Sequence, residues 1–156
     1  MIYFKKIQTS AADQRQLEQA LRKMALKRTR PLDLYVSSTD IGTDKYFHGF
    51  EGKNGVQFTR IRSSLERLVP KLIIKIPQDP GANYYQVRLG AVSLFYLLIF
   101  ILPIAAIVHN IMINPADGDY NFIWVLFLYI GLFYLEYRLT TSRVEKAISK
   151  YKEASA

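Results

Sequence analysis

Few residues in this chain have the type and spacing that chemistry needs. There are two histidines, His48 and His109, and no cysteine. Disulfides, thiolate catalysis and cysteine-ligated zinc are therefore excluded. Asp40 and Asp44, followed by His48 and Glu51, form the densest run of groups able to move a proton or hold a cation. The run lacks the Asp, Asn and Gly density of a calcium loop. A lone histidine in a strand ordinarily serves structure. Gly49, Gly52 and Gly55 fall in a hairpin, without the strand-to-helix context a phosphate loop requires. No catalytic, cofactor-binding or metal-ligating residue is assigned. No cofactor is expected and no small-molecule substrate is identified, and a membrane-bound enzyme using Asp40, Asp44, His48 or Glu51 is the third-ranked reading.

The distribution of charge is more informative. The net charge is +8. Residues 1–88 alone carry +8, the stretch holding Asp117 and Asp119 carries −2, and the segment from Glu136 onward carries +2. Basic segments beside apolar spans stay in the cytoplasm. Candidate contacts to anionic lipid headgroups are Arg22, Lys23, Lys27, Arg28, Arg138 and Arg143. Nucleic acid is not expected as a partner, because attachment to a membrane makes headgroups the nearest anions.

The apolar segments decide where these groups sit. Leu89 to Val108 is twenty residues without a charge. As a helix it is about 30 Å long, the thickness of a hydrocarbon core. Pro103 predicts a kink, and His109 and Asn110 lie at its far end. A second apolar run, Tyr120 to Leu135, follows the turn Asn114 to Asp119. It spans only about 24 Å alone, but Arg138 can snorkel and the pattern continues to Leu139. Tyr120, Trp124, Tyr134 and Tyr137 are placed as aromatic belts would be. Gly131 is a candidate close-contact point between the two helices. Arg88 and Glu136 would lie at equal depth, which predicts a structural ion pair. The N-terminus has no apolar region of signal-peptide length, so the first span is expected to act as its own insertion signal.

The remainder reads as an α+β fold. Ser10 with Asp13 has the form of a capping box. Leu17, Leu21 and Met24 recur on one helical face, and the helix is expected to run on to Pro31. This basic amphipathic helix either packs on a sheet or lies against headgroups. Strands are expected near residues 1–8, at Leu32–Ser37, in a hairpin of Tyr46–Glu51 and Val56–Arg62 about the turn Gly52–Gly55, at Lys71–Ile76 and at Ala82–Leu89. The expected organisation is a cytosolic α+β domain over 1–87, with one helix and four or five short, mostly antiparallel strands. A two-helix transmembrane hairpin covers 88–139 (88–113 and 120–139). A charged cytosolic helical tail covers 140–156, with Val144, Ile148 and Tyr151 on one stripe. That tail either packs on the domain or makes oligomers.

From the hairpin onward the order of motifs resembles a known group. Phe58-Thr59-Arg60-Ile61-Arg62 is followed by Leu68-Val69-Pro70 and the β-branched run Lys71–Ile76, and Val87-Arg88-Leu89 then leads into the apolar helices. Over residues 46–140 this resembles small uncharacterised bacterial two-helix membrane proteins with a basic α+β cytosolic domain. Ile73-Ile74 departs from the Gly such proteins often carry there. The resemblance implies architecture and the bacterial inner membrane, and carries over no functional residue. The expectation is thus a non-enzymatic, multi-pass membrane protein with both termini cytoplasmic. Its basic domain would meet a protein partner, a second copy or anionic lipid; the competing reading is an oligomeric transport or conductance subunit.

Overall fold

The computed structural model describes residues 3–8, 10–33, 44–53, 55–63, 66, 69–79, 82–113 and 121–154. The chain runs β1 (Tyr3–Gln8), α1 (Ala11–Lys23), β2 (Ala25–Arg28), β3 (Phe47–Gly52), β4 (Gly55–Arg60), β5 (Leu72–Ile76), β6 (Tyr84–Leu89), α2 (Ala91–Ile113) and α3 (Asn121–Glu153). It is an α+β fold built on one six-stranded sheet in the order β1-β6-β5-β4-β3-β2. The β2–β3 pair is parallel and the others are antiparallel.

The expected capping box is present. Asp13 donates its backbone N–H to Ser10 Oγ at 3.1 Å, and the Ser10 hydroxyl donates to Asp13 Oδ2 at 2.7 Å. The helix ends at Lys23 rather than at Pro31, and Ala25–Arg28 forms a strand instead. The amides of Tyr46 and Phe47 both donate to the Met24 carbonyl, at 2.9 and 3.1 Å, and the next four residues pair in parallel with β3. Sheet pairing overrides the helical spacing that Met24 continues. Of the strand expected at Leu32–Ser37, Leu32 and Asp33 lie in a turn and residues 34–37 fall outside the described residues.

The hairpin forms as its turn residues predict, with registers Phe47↔Arg60 through Gly52↔Gly55. Gly55 has φ 129°, and a Cβ there would meet the Ile76 carbonyl oxygen at 2.3 Å. Only glycine fits that position.

One sheet face carries the core. Phe47, Val56, Phe58, Ile74 and Ile76 pack against Leu17 and Leu21 of α1 and Val144 and Ala147 of α3. Buried positions of α3 recur as Glu136, Thr140, Val144 and Ala147, one stripe of a single helix. Residues 140–153 are therefore the end of α3 seated in the core, with no break at 139.

Among the described residues one helix, α2, has the length and composition to cross a membrane, with a mean hydropathy of 2.7. The expected transmembrane hairpin is therefore not confirmed, since one helix and not two meets that test among the described residues. The apolar part of α3 is shorter, and the rest of that helix carries charge. The helix α2 runs unbroken through Pro103.

Candidate functional site

Two ion-pair systems hold the roots of the apolar helices, one on each face of the sheet. The first belongs to the helical face. Strand alternation puts Arg60 on the side of Val56 and Phe58. There its guanidinium meets Glu136 of α3, Nη2 to Oε2 at 2.7 Å and Nε to Oε1 at 3.3 Å. Both side chains are nearly inaccessible, at 2% and 1% exposure. Arg60 Nη1 also donates to Glu66 Oε1 at 2.9 Å, and Glu66 Oε2 accepts from the Ser63 amide at 2.8 Å. The Thr140 hydroxyl donates to Glu136 Oε1 at 3.4 Å. Burial alone would lower the pKa of Arg60, but the hydrogen bonds and charges of Glu136 and Glu66 outweigh it and raise it. The guanidinium is a fixed charge, neutralised on two sides.

The second system lies on the opposite face. Arg88 pairs in register with Ile73, away from the core helices. It grips Asp33 in fork geometry, Nη2 to Oδ2 at 2.5 Å and Nη1 to Oδ1 at 2.8 Å. Asp33 Oδ1 also accepts the Ala91 amide at 2.9 Å. No acidic residue occupies the first turn of α2, so Asp33 supplies a carboxylate at that helix end from across the chain. Burial would raise the Asp33 pKa, but the Arg88 and Ala91 hydrogen bonds hold it below its ordinary value.

Beside it, the Lys71 ammonium donates to the Leu32 carbonyl at 2.5 Å. The Lys71 amide donates to Ser93 Oγ at 2.6 Å, and the Gly90 amide donates to the Lys71 carbonyl at 2.8 Å. Burial, with repulsion from Arg62 and Arg88 against attraction from Asp33, pushes the Lys71 pKa down to about 8. Arg62 Nη1 donates to the Val69 carbonyl at 2.7 Å. Together the two systems tie the start of α2 and Glu136 of α3 to the sheet. They contain no nucleophile–base pair. Among the described residues, no group of three or more histidines and acids could hold a metal ion.

The expected ion pair between Arg88 and Glu136 is not formed. Arg88 pairs with Asp33 and Glu136 with Arg60. Equal depth was the wrong criterion, because the strand's pleat sends Arg88 to the face opposite α3. Gly131 is not a contact point either, since a Cβ added there would meet nothing within 4 Å.

The residues expected to touch headgroups are dispersed. Arg22 bonds Glu18 at 2.8 Å and also Glu51, which Lys27 reaches at 3.1 Å. Lys23 lies 5.8 Å from the centre of the Tyr151 ring. Arg28 Nε donates to His48 Nδ1 at 3.2 Å. Lys27 and Arg28 sit on β2, not on the helix. Arg138 and Arg143 are exposed on α3, and Arg143 lies 5.2 Å from the centre of the Tyr46 ring. Among the residues weighed for catalysis, His48 is fully buried, Asp44 is exposed and Asp40 lies outside the described residues. His109 is on exposed α2.

Comparison with models of protein families, with curated proteins and with solved structures returns no match. The residues that sequence reading missed are Asp33, Arg60, Glu66 and Lys71. A signal existed for Arg60, because it alternates with Val56 and Phe58 and so falls on a core face where a cation needs a partner. Asp33 had none, since its role depends on a chain crossing that local pattern does not record.

Proposed function

We propose that this chain is an integral membrane protein whose α2 and apolar part of α3 form an anchor. Its sheet domain is held at the cytoplasmic face, where it engages a protein partner or anionic headgroups without catalysing a reaction. The observation that carries this is the state of α2. Only 6% of its most apolar window is buried, and Val92, Phe95, Tyr96, Leu98, Ile99 and Leu102 are all exposed. Core helices of water-soluble proteins hide such residues, and an apolar surface of this extent needs lipid or protein around it. The exposed face continues on α3 through Trp124, Phe127, Leu128, Ile130 and Tyr134. The +8 charge of residues 1–88 favours the cytoplasmic side.

The test is alkaline carbonate extraction of membranes from cells expressing the full chain, with reporters at each terminus. Retention in the pellet and both reporters cytoplasmic is the expected outcome. Release into the supernatant, or either terminus outside, overturns the reading.

A further inference from the structure

Where α3 passes from its exposed apolar part to its buried stripe, a groove of about 440 Å³ opens along the helix. It is lined by Tyr134, Tyr137, Arg138, Thr141, Ser142 and Glu145. The edge strand β1 reaches it. The Lys5 ammonium donates to the Tyr137 hydroxyl at 2.5 Å and lies 4.8 Å from the centre of that ring. We propose that this groove seats the phosphodiester headgroup of an anionic membrane phospholipid, with Lys5 and Arg138 on the phosphate.

Three observations carry it. The first is position. Tyr134 and Leu135, exposed at 65% and 47%, end the apolar face at the groove, and Glu136 begins the buried stripe beside it. On the anchor reading, on which this proposal rests, that seam lies at headgroup depth, where tyrosines favour the interface.

The second is charge. Lys5 and Arg138 set against Glu145 leave one net positive charge, matching the single negative charge of a phosphodiester. A doubly charged phosphomonoester would meet Glu145 unfavourably.

The third is availability. Arg138 is exposed and forms no ion pair among the described residues, whereas Arg22, Arg60 and Arg88 each hold a carboxylate. Its planar donors suit a phosphate. The Thr141 hydroxyl is committed to the Tyr137 carbonyl at 2.9 Å, whereas Ser142 and the two tyrosines also line the groove with hydroxyls.

The experiment places the full chain in nanodiscs of equal parts phosphatidylglycerol and phosphatidylcholine. The lipids retained after release into mild detergent are counted by native mass spectrometry. Phosphatidylglycerol is expected in excess, and Arg138→Gln and Lys5→Gln should each reduce that excess about fivefold. Arg143→Gln, outside the groove, should leave it unchanged. No excess in the wild type, or an excess that survives both substitutions together, overturns the proposal. Carbonate extraction of the same variants separates the two ideas. A chain that stays in the membrane without lipid preference defeats only the groove, and a chain that washes out defeats the anchor.

Discussion

The Arg60 guanidinium and the Glu136 carboxylate, 76 positions apart in sequence, meet through two hydrogen bonds inside the packed face between the sheet and α3. Removing one member of a buried pair leaves the other charge without compensation, at a cost of about 3–5 kcal/mol. Glu136→Gln should therefore lower the thermal midpoint in detergent markedly. Arg60→Met combined with Glu136→Leu should recover much of the loss, because no fully buried charge is then stranded and Glu66, which also loses Arg60, is 31% exposed to water. A double variant as unstable as the sum of the singles would show that the pair is not coupled.

On the other face, Asp33 joins Arg88 to the first amide of α2. Asp33→Asn keeps the shape and removes the charge, and should cost at least about 2 kcal/mol in thermal or denaturant unfolding. The folded pKa of Asp33 is lowered, so its contribution is present above the ordinary carboxylate pKa and lost as pH falls through the folded value. The gap between wild type and Asp33→Asn should accordingly close in acid.

Lys71 acts with the opposite sign. Its folded pKa is about 8 against an ordinary 10.5, so between those values the unfolded chain binds more protons than the folded one. Its burden on stability is full below pH 8 and is relieved as pH rises toward 10. Relative to Lys71→Met, the wild type should gain about 1 kcal/mol per pH unit across that window. A stability difference that stays flat from pH 7 to pH 10 would contradict the assignment.

Two glycines give opposite expectations. Gly55→Ala forces a Cβ against the Ile76 carbonyl at an unfavourable φ, and should cost about 2 kcal/mol or more. Gly131→Ala faces open space on α3 and should be neutral or stabilising by up to about 1 kcal/mol. Measured destabilisation by Gly131→Ala would point to a second molecule packed at that spot.

Local chemistry made some of this architecture legible and not the rest. The capping box at Ser10, the turn from Gly52 to Gly55 and the apolar run from Leu89 are each encoded within a few neighbouring residues, and each appears where its residues place it. Strand β2 was hidden because Ala25 to Arg28 has helical composition, and only β3 alongside makes it a strand. The Arg88 and Glu136 partners were hidden because they depend on which side of the sheet each segment crosses. The stripe at Val144 was visible as a stripe, but what it covers was not.

That stripe has a consequence for synthesis. Val144 and Ala147 complete the core begun by Leu17 and Leu21, yet the ribosome makes them after α2 and the apolar part of α3. The sheet emerges first, and the part of its apolar face that Val144 and Ala147 cover stays open until α3 has been made. A chain ending at residue 88 therefore lacks the α3 cover of its core, whereas one ending a few residues after Ala147 carries it.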